Sequence, residues 1–135
     1  VALCVISVYV FGLTNIEVAE LLTKNQEFLI KNQELENKGK KLDYKTIDVT
    51  QLILEHNGRA EFYNLKVLVD KQSAIRDKHY TIIDKFSALT EYKGVDGWQK
   101  FEIVLKEFEA SLQEWEAGLK EWENYLNQLE AKYAK

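Results

Sequence analysis

The residues best suited to chemistry are two histidines, one cysteine and a line of glutamates. His56 and His79 each fall within an apolar helical pattern, with no second histidine or cysteine near them in the sequence. Cys4 is the only cysteine, so one chain forms neither a disulfide framework nor a thiolate cluster. We therefore expect both histidines to be core or interhelical polar groups rather than metal ligands.

Five glutamates recur at seven-residue intervals near the C-terminus: Glu102, Glu109, Glu116, Glu123 and Glu130. Paired carboxylates perform general acid–base chemistry when a pocket holds them together. Seven-residue spacing instead spreads them along one flank of a helix. The sequence also contains no glycine-rich phosphate loop, nucleophile elbow or zinc-type spacing. It therefore predicts no catalytic residue, no cofactor and no metal site.

The composition predicts an all-α protein. There is no proline, and only six glycines occur among 135 residues, so the chain has few means of forming loops. The net charge of −4, with both signs interspersed, does not suit a nucleic-acid partner. A chain of this length drawn into a few long helices has little interior of its own. We therefore expect it to bury apolar surface against copies of itself or other subunits of a complex.

The longest pattern is a heptad seam from Val18 to Val67, in which seam residues alternate at spacings of three and four. This pattern predicts an elongated coiled-coil helix, a stalk over residues 14–70. Asn25 and Asn32 occupy its a positions, where buried asparagine sets register and favours parallel self-association. In such a pair Lys31 would face Glu36 of the second copy, and Lys38 would face Asp43. Gly39 lies in phase with the seam and marks a bend or a break in the stalk.

A helical hairpin is predicted over residues 54–135, sharing the end of the stalk helix. A second apolar stripe begins at Leu54, and two glycines within residues 91–97 indicate a turn. The C-terminal helix would then return antiparallel along residues 55–90, so that the numbers of contacting residues sum to about 190. Its seam carries large aromatic residues, for which core packing is a better explanation than cofactor stacking: Trp98, Phe101, Phe108, Trp115 and Trp122.

The five regularly spaced glutamates, the glutamate line, predict a positively charged neighbouring helix. A parallel pair of C-terminal helices would leave four of the glutamates with no cation opposite, and an antiparallel pair would set glutamate against glutamate. The helix should therefore not pair with itself. Lys71, Lys78 and Lys85 repeat at the same spacing beside the second stripe and match the glutamates in sign. Flanks of this kind meet only between parallel helices. We therefore expect these lysines to pair with Glu102, Glu109, Glu116 and Glu123 of another copy.

Besides the stalk and the hairpin, the sequence contains an apolar N-terminal segment, Val1–Leu13, with no charged residue. Thirteen helical residues are fewer than the roughly 20 needed to cross a bilayer. Three interpretations follow: a transmembrane helix lacking its first residues, an apolar helix in the core of an oligomer or filament, or an uncleaved signal segment. No Lys or Arg precedes Lys24. If residues 1–13 associate with a membrane, this favours an orientation with most of the chain on the non-cytoplasmic side.

These patterns predict a non-enzymatic, membrane-associated, oligomeric helical protein, acting as a tether or structural subunit of a larger assembly. Its partners would be copies of itself or other subunits, and a membrane contacted through residues 1–13. The first alternative is an extracellular filament subunit with the apolar N-terminal helix in the fibre core. The second is a soluble module that binds a partner through its helices. The sequence contains no motif that chooses among these three.

Overall fold

The computed structural model describes residues 15–91 and 97–133, and these form three α-helices: α1 (Asn15–Glu55), α2 (Arg59–Glu91) and α3 (Gly97–Tyr133). The described residues include no strand, so the predicted all-α fold with a returning C-terminal helix is confirmed. The predicted apolar helix at residues 1–13 lies outside the described residues, as do residues 92–96 of the predicted turn and the side chain of Trp98.

The prediction of one helix continuing through Val67 is wrong, because α1 ends at Glu55. Asn57 has a positive φ of 56°, in the left-handed region that ends many helices. The Gly58 amide donates to the Ile53 carbonyl at 2.9 Å, and the Asn57 amide donates to the Leu54 carbonyl at 3.3 Å. These two bonds form a Schellman motif, which satisfies the last carbonyls of α1. The Gly58 carbonyl then accepts the first amide hydrogen bond of α2, from Phe62.

This turn changes which faces are buried. The seam of α1 is buried at six positions, Val18, Leu21, Leu35, Leu42, Val49 and Ile53. Its predicted continuation is exposed at His56, Ala60, Tyr63 and Val67. In α2 the second stripe turns inward from Leu65, whereas Leu54, predicted to start that stripe, is exposed near the end of α1. The hydrophobic seam therefore stops at the turn, and the opposite stripe becomes the core face of α2.

The residues group into two compact units, each containing parts of all three helices. The first unit joins the chain up to Asn32 with His79–Leu112. Its core is aromatic: Phe86 lies 5.2 Å from Phe101 between ring centroids, and Phe28 stacks on Phe108 at 5.9 Å. Leu21 and Leu105 complete this buried cluster. The seam residues predicted at Phe101 and Phe108 are thus core residues.

The second unit joins Gln33–Lys78 with Gln113–Lys135. Its core is built from fully or almost fully buried side chains, including Val49, Ile53, Leu119, Leu126, Trp115 and Trp122. Lys71 contacts Glu121 and Lys78 contacts Glu114, so residue numbers across α2 and α3 sum to 192 in this antiparallel pair. Lys38 contacts Glu123 and Lys45 contacts Glu130, so numbers across α1 and α3 differ by a constant 85. In this unit α1 and α3 therefore run parallel, and both run antiparallel to α2.

Gly39 neither ends nor interrupts α1, which is helical from Asn15 to Glu55. A Cβ atom at this position would lie 4.0 Å from Leu119 Cδ2, an ordinary van der Waals distance. The position therefore has room for a side chain, and glycine is not required there by close packing.

Candidate functional site

A polar layer connects all three helices in the first unit. The ring of His79 on α2 has no solvent-exposed surface. Its Nε2 lies 2.6 Å from Oδ1 of Asn32 on α1, and its Nδ1 lies 2.7 Å from Oγ of Ser111 on α3. Because a side-chain carbonyl oxygen only accepts, Nε2 donates to Asn32. In a neutral imidazole Nδ1 is then an acceptor, to which the Ser111 hydroxyl donates. A neutral imidazole therefore satisfies both neighbours.

The same layer has the residue types of a nucleophilic relay, in which a histidine activates a serine. Such chemistry requires substrate to reach the serine oxygen. Ser111 is buried, His79 is fully enclosed, and the Phe108 ring lies 5.3 Å from the imidazole between centroids. The layer is thus an interhelical contact, the role that the sequence predicts for His79. Asn32, predicted to set the register of a second copy, contacts His79 of its own chain.

A second polar group lies in the core of the other unit. Gln72 on α2 is 4% exposed, and neither Oε1 nor Nε2 has a hydrogen-bond partner among the described residues. Its amide fits against Gly118 of α3, where an added Cβ would lie 2.3 Å from Oε1. The indole Nε1 of Trp122 is likewise buried without a partner among those residues. Gly118 therefore provides the space in which a buried amide can sit.

Two glutamates of the predicted line, Glu123 and Glu130, have cationic partners on α1. Lys38 Nζ lies 3.6 Å from Glu123, and Lys45 Nζ lies 3.9 Å from Glu130. Lys45 also donates to the side-chain oxygen of Asn127. The lysines are at g positions and the glutamates at e positions, which meet when helices run parallel. These side chains are partly exposed, so each pair contributes at most about 1 kcal/mol and mainly sets helix register.

Two of the three lysines predicted to pair with the glutamate line, Lys71 and Lys78, have different partners. Lys71 pairs with Glu121 at 3.1 Å, and Lys78 pairs with Glu114 at 3.2 Å, within one chain. Neither glutamate belongs to the predicted line, because an antiparallel α3 presents a different flank to α2. Of the other residues predicted to form charge pairs, Lys85, Glu109 and Glu116 are exposed. Glu102 contacts Lys106 of its own helix at 3.8 Å.

The end of α3 packs against the turn between α1 and α2. Glu61 accepts a hydrogen bond from Lys132, and this contact, with smaller contributions from its own backbone and Tyr133, lowers the pKa of Glu61 to about 2. Burial, with the Glu61 contact, raises the pKa of Tyr133. The Tyr133 ring lies 5.0 Å from that of His56 between centroids. A Cβ atom on Gly58 would lie 2.6 Å from the Tyr133 oxygen, so a side chain at this position would force the Tyr133 ring to shift.

The remaining residues of the predicted self-association seam lie on α1. Asn25, Lys31 and Glu36 are half-buried there, and Asp43 is exposed. Lys38, predicted to face Asp43 of a second copy, has a partner in its own chain. Pairing of these residues between copies stays a prediction.

Within residues 15–91 and 97–133, no group of three or more His, Cys, Asp and Glu side chains is arranged to hold a metal ion. None of the three helices, over the part that the structure describes, is both long and apolar enough to cross a membrane. No protein-family model matches the chain, and comparisons with curated proteins and with solved structures found no significant similarity.

Proposed function

We propose that this protein is a non-enzymatic structural subunit, a membrane-associated tether whose helical bundle assembles with other copies or subunits. The proposal rests on the contacts that the polar side chains make between helices. His79 is enclosed between Asn32 and Ser111, and lysines meet glutamates in register along the helices. Groups that could do chemistry are thus engaged in holding helices together.

Membrane association is supported by sequence. Thirteen uncharged residues, Val1–Leu13, lie N-terminal to α1, and the first basic residue of the chain is Lys24. An apolar segment without charge partitions into a bilayer more readily than into water. The proposal places this segment in the membrane and the bundle on the non-cytoplasmic side.

Flotation of the full chain with phospholipid vesicles tests this role. We expect the wild-type protein to float with the vesicles and a Val5→Asp, Val8→Asp double variant to remain in the dense fraction, because each buried charge costs about 2.5–3.5 kcal/mol in a bilayer centre. Leu54→Asp is the matched control, since Leu54 is exposed on the bundle and its variant should still float.

Recovery of the folded wild-type protein in the dense fraction would contradict the membrane role. Fibres seen by electron microscopy in that sample would instead support the filament alternative. A soluble, monodisperse protein would support the partner-binding module.

A further inference from the structure

The turn between α1 and α2 contains a residue pair that is prone to a spontaneous reaction. Of the asparagines in the chain, only Asn57 is followed by glycine. In such a pair the backbone nitrogen of the glycine attacks the side-chain amide carbon of the asparagine, because no Cβ atom obstructs the approach. Asn57 is exposed, so water has access to its side chain and ammonia can leave. Among the asparagines of this chain, Asn57 is therefore the one whose sequence least obstructs loss of the side-chain amide.

The folded turn engages the atom that would attack. The peptide group between Asn57 and Gly58 is held at both ends. Its nitrogen donates to the Ile53 carbonyl at 2.9 Å, and its oxygen accepts from the Arg59 amide at 3.0 Å. The nitrogen attacks only after it has lost its proton, and the hydrogen bond to Ile53 holds that proton while the turn is closed. The closed turn therefore protects a pair that the sequence makes labile.

The end of α3 supports the closed turn. The Tyr133 oxygen occupies the space beside Gly58, and the Tyr133 ring lies 5.0 Å from the His56 ring between centroids. One residue earlier, Lys132 donates a hydrogen bond to Glu61, near the start of α2. Opening of the turn would disturb these contacts. The last turn of α3 therefore opposes opening.

We propose that Asn57 is a modification site whose side-chain amide is lost when this turn opens, an event that the end of α3 opposes. After the Gly58 amide has given its proton to solvent, its nitrogen forms a bond to Cγ of Asn57. The bond from Cγ to the side-chain nitrogen breaks, and that nitrogen takes up protons from solvent and leaves as ammonia. Water then opens the five-membered succinimide at either carbonyl, which gives aspartate or isoaspartate.

The isoaspartate product makes the change irreversible for the turn. Its backbone passes through the former side-chain carbon and is longer by one methylene group between Asn57 and Gly58. The Schellman motif needs two consecutive amides at the ordinary backbone spacing, so the Gly58 amide no longer reaches Ile53 in the same geometry. Aspartate, by contrast, keeps the ordinary backbone and tolerates the left-handed conformation. Opening that lasts long enough for reaction is thus recorded permanently in the chain.

Mass spectrometry of the full chain, kept in mild detergent and then digested with trypsin, measures the reaction. Tryptic peptide 46–59 contains Asn57 as its only asparagine, and synthetic standards distinguish its aspartate and isoaspartate forms. We expect the chain unfolded in urea to lose the amide at least about tenfold faster than the folded chain at the same pH and temperature, because the hydrogen bonds of the turn must break first. Both products should appear.

Three variants test the role of α3. Tyr133→Ala should speed the reaction of the folded chain several-fold, whereas Tyr44→Ala is the matched control, because Tyr44 is 73% exposed. Lys132→Gln, which removes a partly exposed ion pair, should speed it about twofold to fivefold. All three should match the wild type in urea, since the sequence around Asn57 is unchanged. Circular dichroism verifies that each variant is folded.

Hydrogen exchange at the Gly58 amide tests the effect on the turn. The isoaspartate chain, purified after reaction, should exchange this amide at least about tenfold faster than an Asn57→Asp variant, which carries the same charge on an ordinary backbone. Equal amide loss in the folded and unfolded chains would overturn the inference. So would aspartate as the sole product, Tyr133→Ala and Lys132→Gln rates equal to that of Tyr44→Ala, or equal exchange in the two modified chains.

Discussion

Replacing Gln72 by leucine should stabilise the protein, although it removes a polar residue that the fold accommodates closely. Both ends of the Gln72 amide are buried in the second unit without a hydrogen-bond partner among the described residues. Gly118 faces the amide and leaves it little freedom to turn, because Oε1 already lies 2.3 Å from where a Cβ would be. The amide therefore loses its hydrogen bonds to water on folding without regaining them from the protein.

The magnitude follows from that loss. A buried polar group left unpaired costs roughly 1–3 kcal/mol, and leucine, which is of similar size, removes the cost. An unfolding entropy of roughly 2.1 cal/mol/K per residue converts each kcal/mol into a shift of about 3–4 °C for a chain of this length. We therefore expect Gln72→Leu to raise the thermal midpoint by roughly 3–10 °C.

Thermal and urea unfolding followed by circular dichroism measure the change. Gln113→Leu is the matched control, because Gln113 is exposed on α3 and its replacement should shift the midpoint little. A lower midpoint for Gln72→Leu than for wild type would refute the reasoning. The amide would then be hydrogen-bonded in solution, as an enclosed water molecule would allow.

Two further predictions concern the turn and its contacts. Because the Lys132 contact holds the pKa of Glu61 near 2, ionised Glu61 stabilises the fold above about pH 4.5, and this contribution is lost as the pH falls towards 2. Glu61→Gln should flatten that part of a stability–pH profile, whereas Glu107→Gln, on the exposed surface of α3, should not. Gly58→Ala should lower the free energy of unfolding by about 1–3 kcal/mol, because its Cβ would clash with Tyr133. Gly39→Ala should raise it by up to about 1 kcal/mol, because the position has room for a side chain and alanine favours the helix. Equal urea midpoints for the two variants would contradict this prediction.

Hydrophobic periodicity alone does not predict the turn at Asn57. The seam of α1 continues in phase through His56, Ala60 and Tyr63, so spacing alone indicates an unbroken helix. The local signal was the Asn57-Gly58 dipeptide, since asparagine tolerates the left-handed conformation and glycine allows close approach. The fold uses both properties. Asn57 adopts the left-handed conformation, and the Tyr133 oxygen occupies the space beside Gly58. An Asn-Gly dipeptide is therefore stronger evidence that a helix ends than a regular heptad pattern is evidence that it continues.

The aromatic seam of α3 and the inward stripe of α2 were predictable, because both depend only on helical periodicity. The partners of the polar residues were not. Which side chain meets His79 depends on the register of three helices, and that register follows from a turn that the seam pattern conceals. The sequence indicates a buried histidine and a buried asparagine, but only the turn brings Asn32 and His79 together.

The ion pairs follow from the same turn. Lysines at g positions and glutamates at e positions are visible in the sequence and meet only between parallel helices. With a single long first helix, the C-terminal helix could run only antiparallel to it, so parallel contacts had to involve another copy. The turn at Asn57 adds one reversal of direction, which makes α1 and α3 parallel within one chain. Lys38 and Lys45 then reach Glu123 and Glu130 without a second molecule.

This internal pairing changes where self-association can occur. The buried seam of α1, from Val18 to Ile53, packs against helices of its own chain, so a second copy could use it only by displacing them. Displacement would expose residues such as Val49 and Ile53, at about 1.5–3 kcal/mol for each large side chain. Pairing through side chains that are already exposed on the bundle incurs no such loss. A homo-oligomer that keeps the bundle intact is therefore expected to assemble through exposed side chains rather than through the buried seam that first suggested self-association.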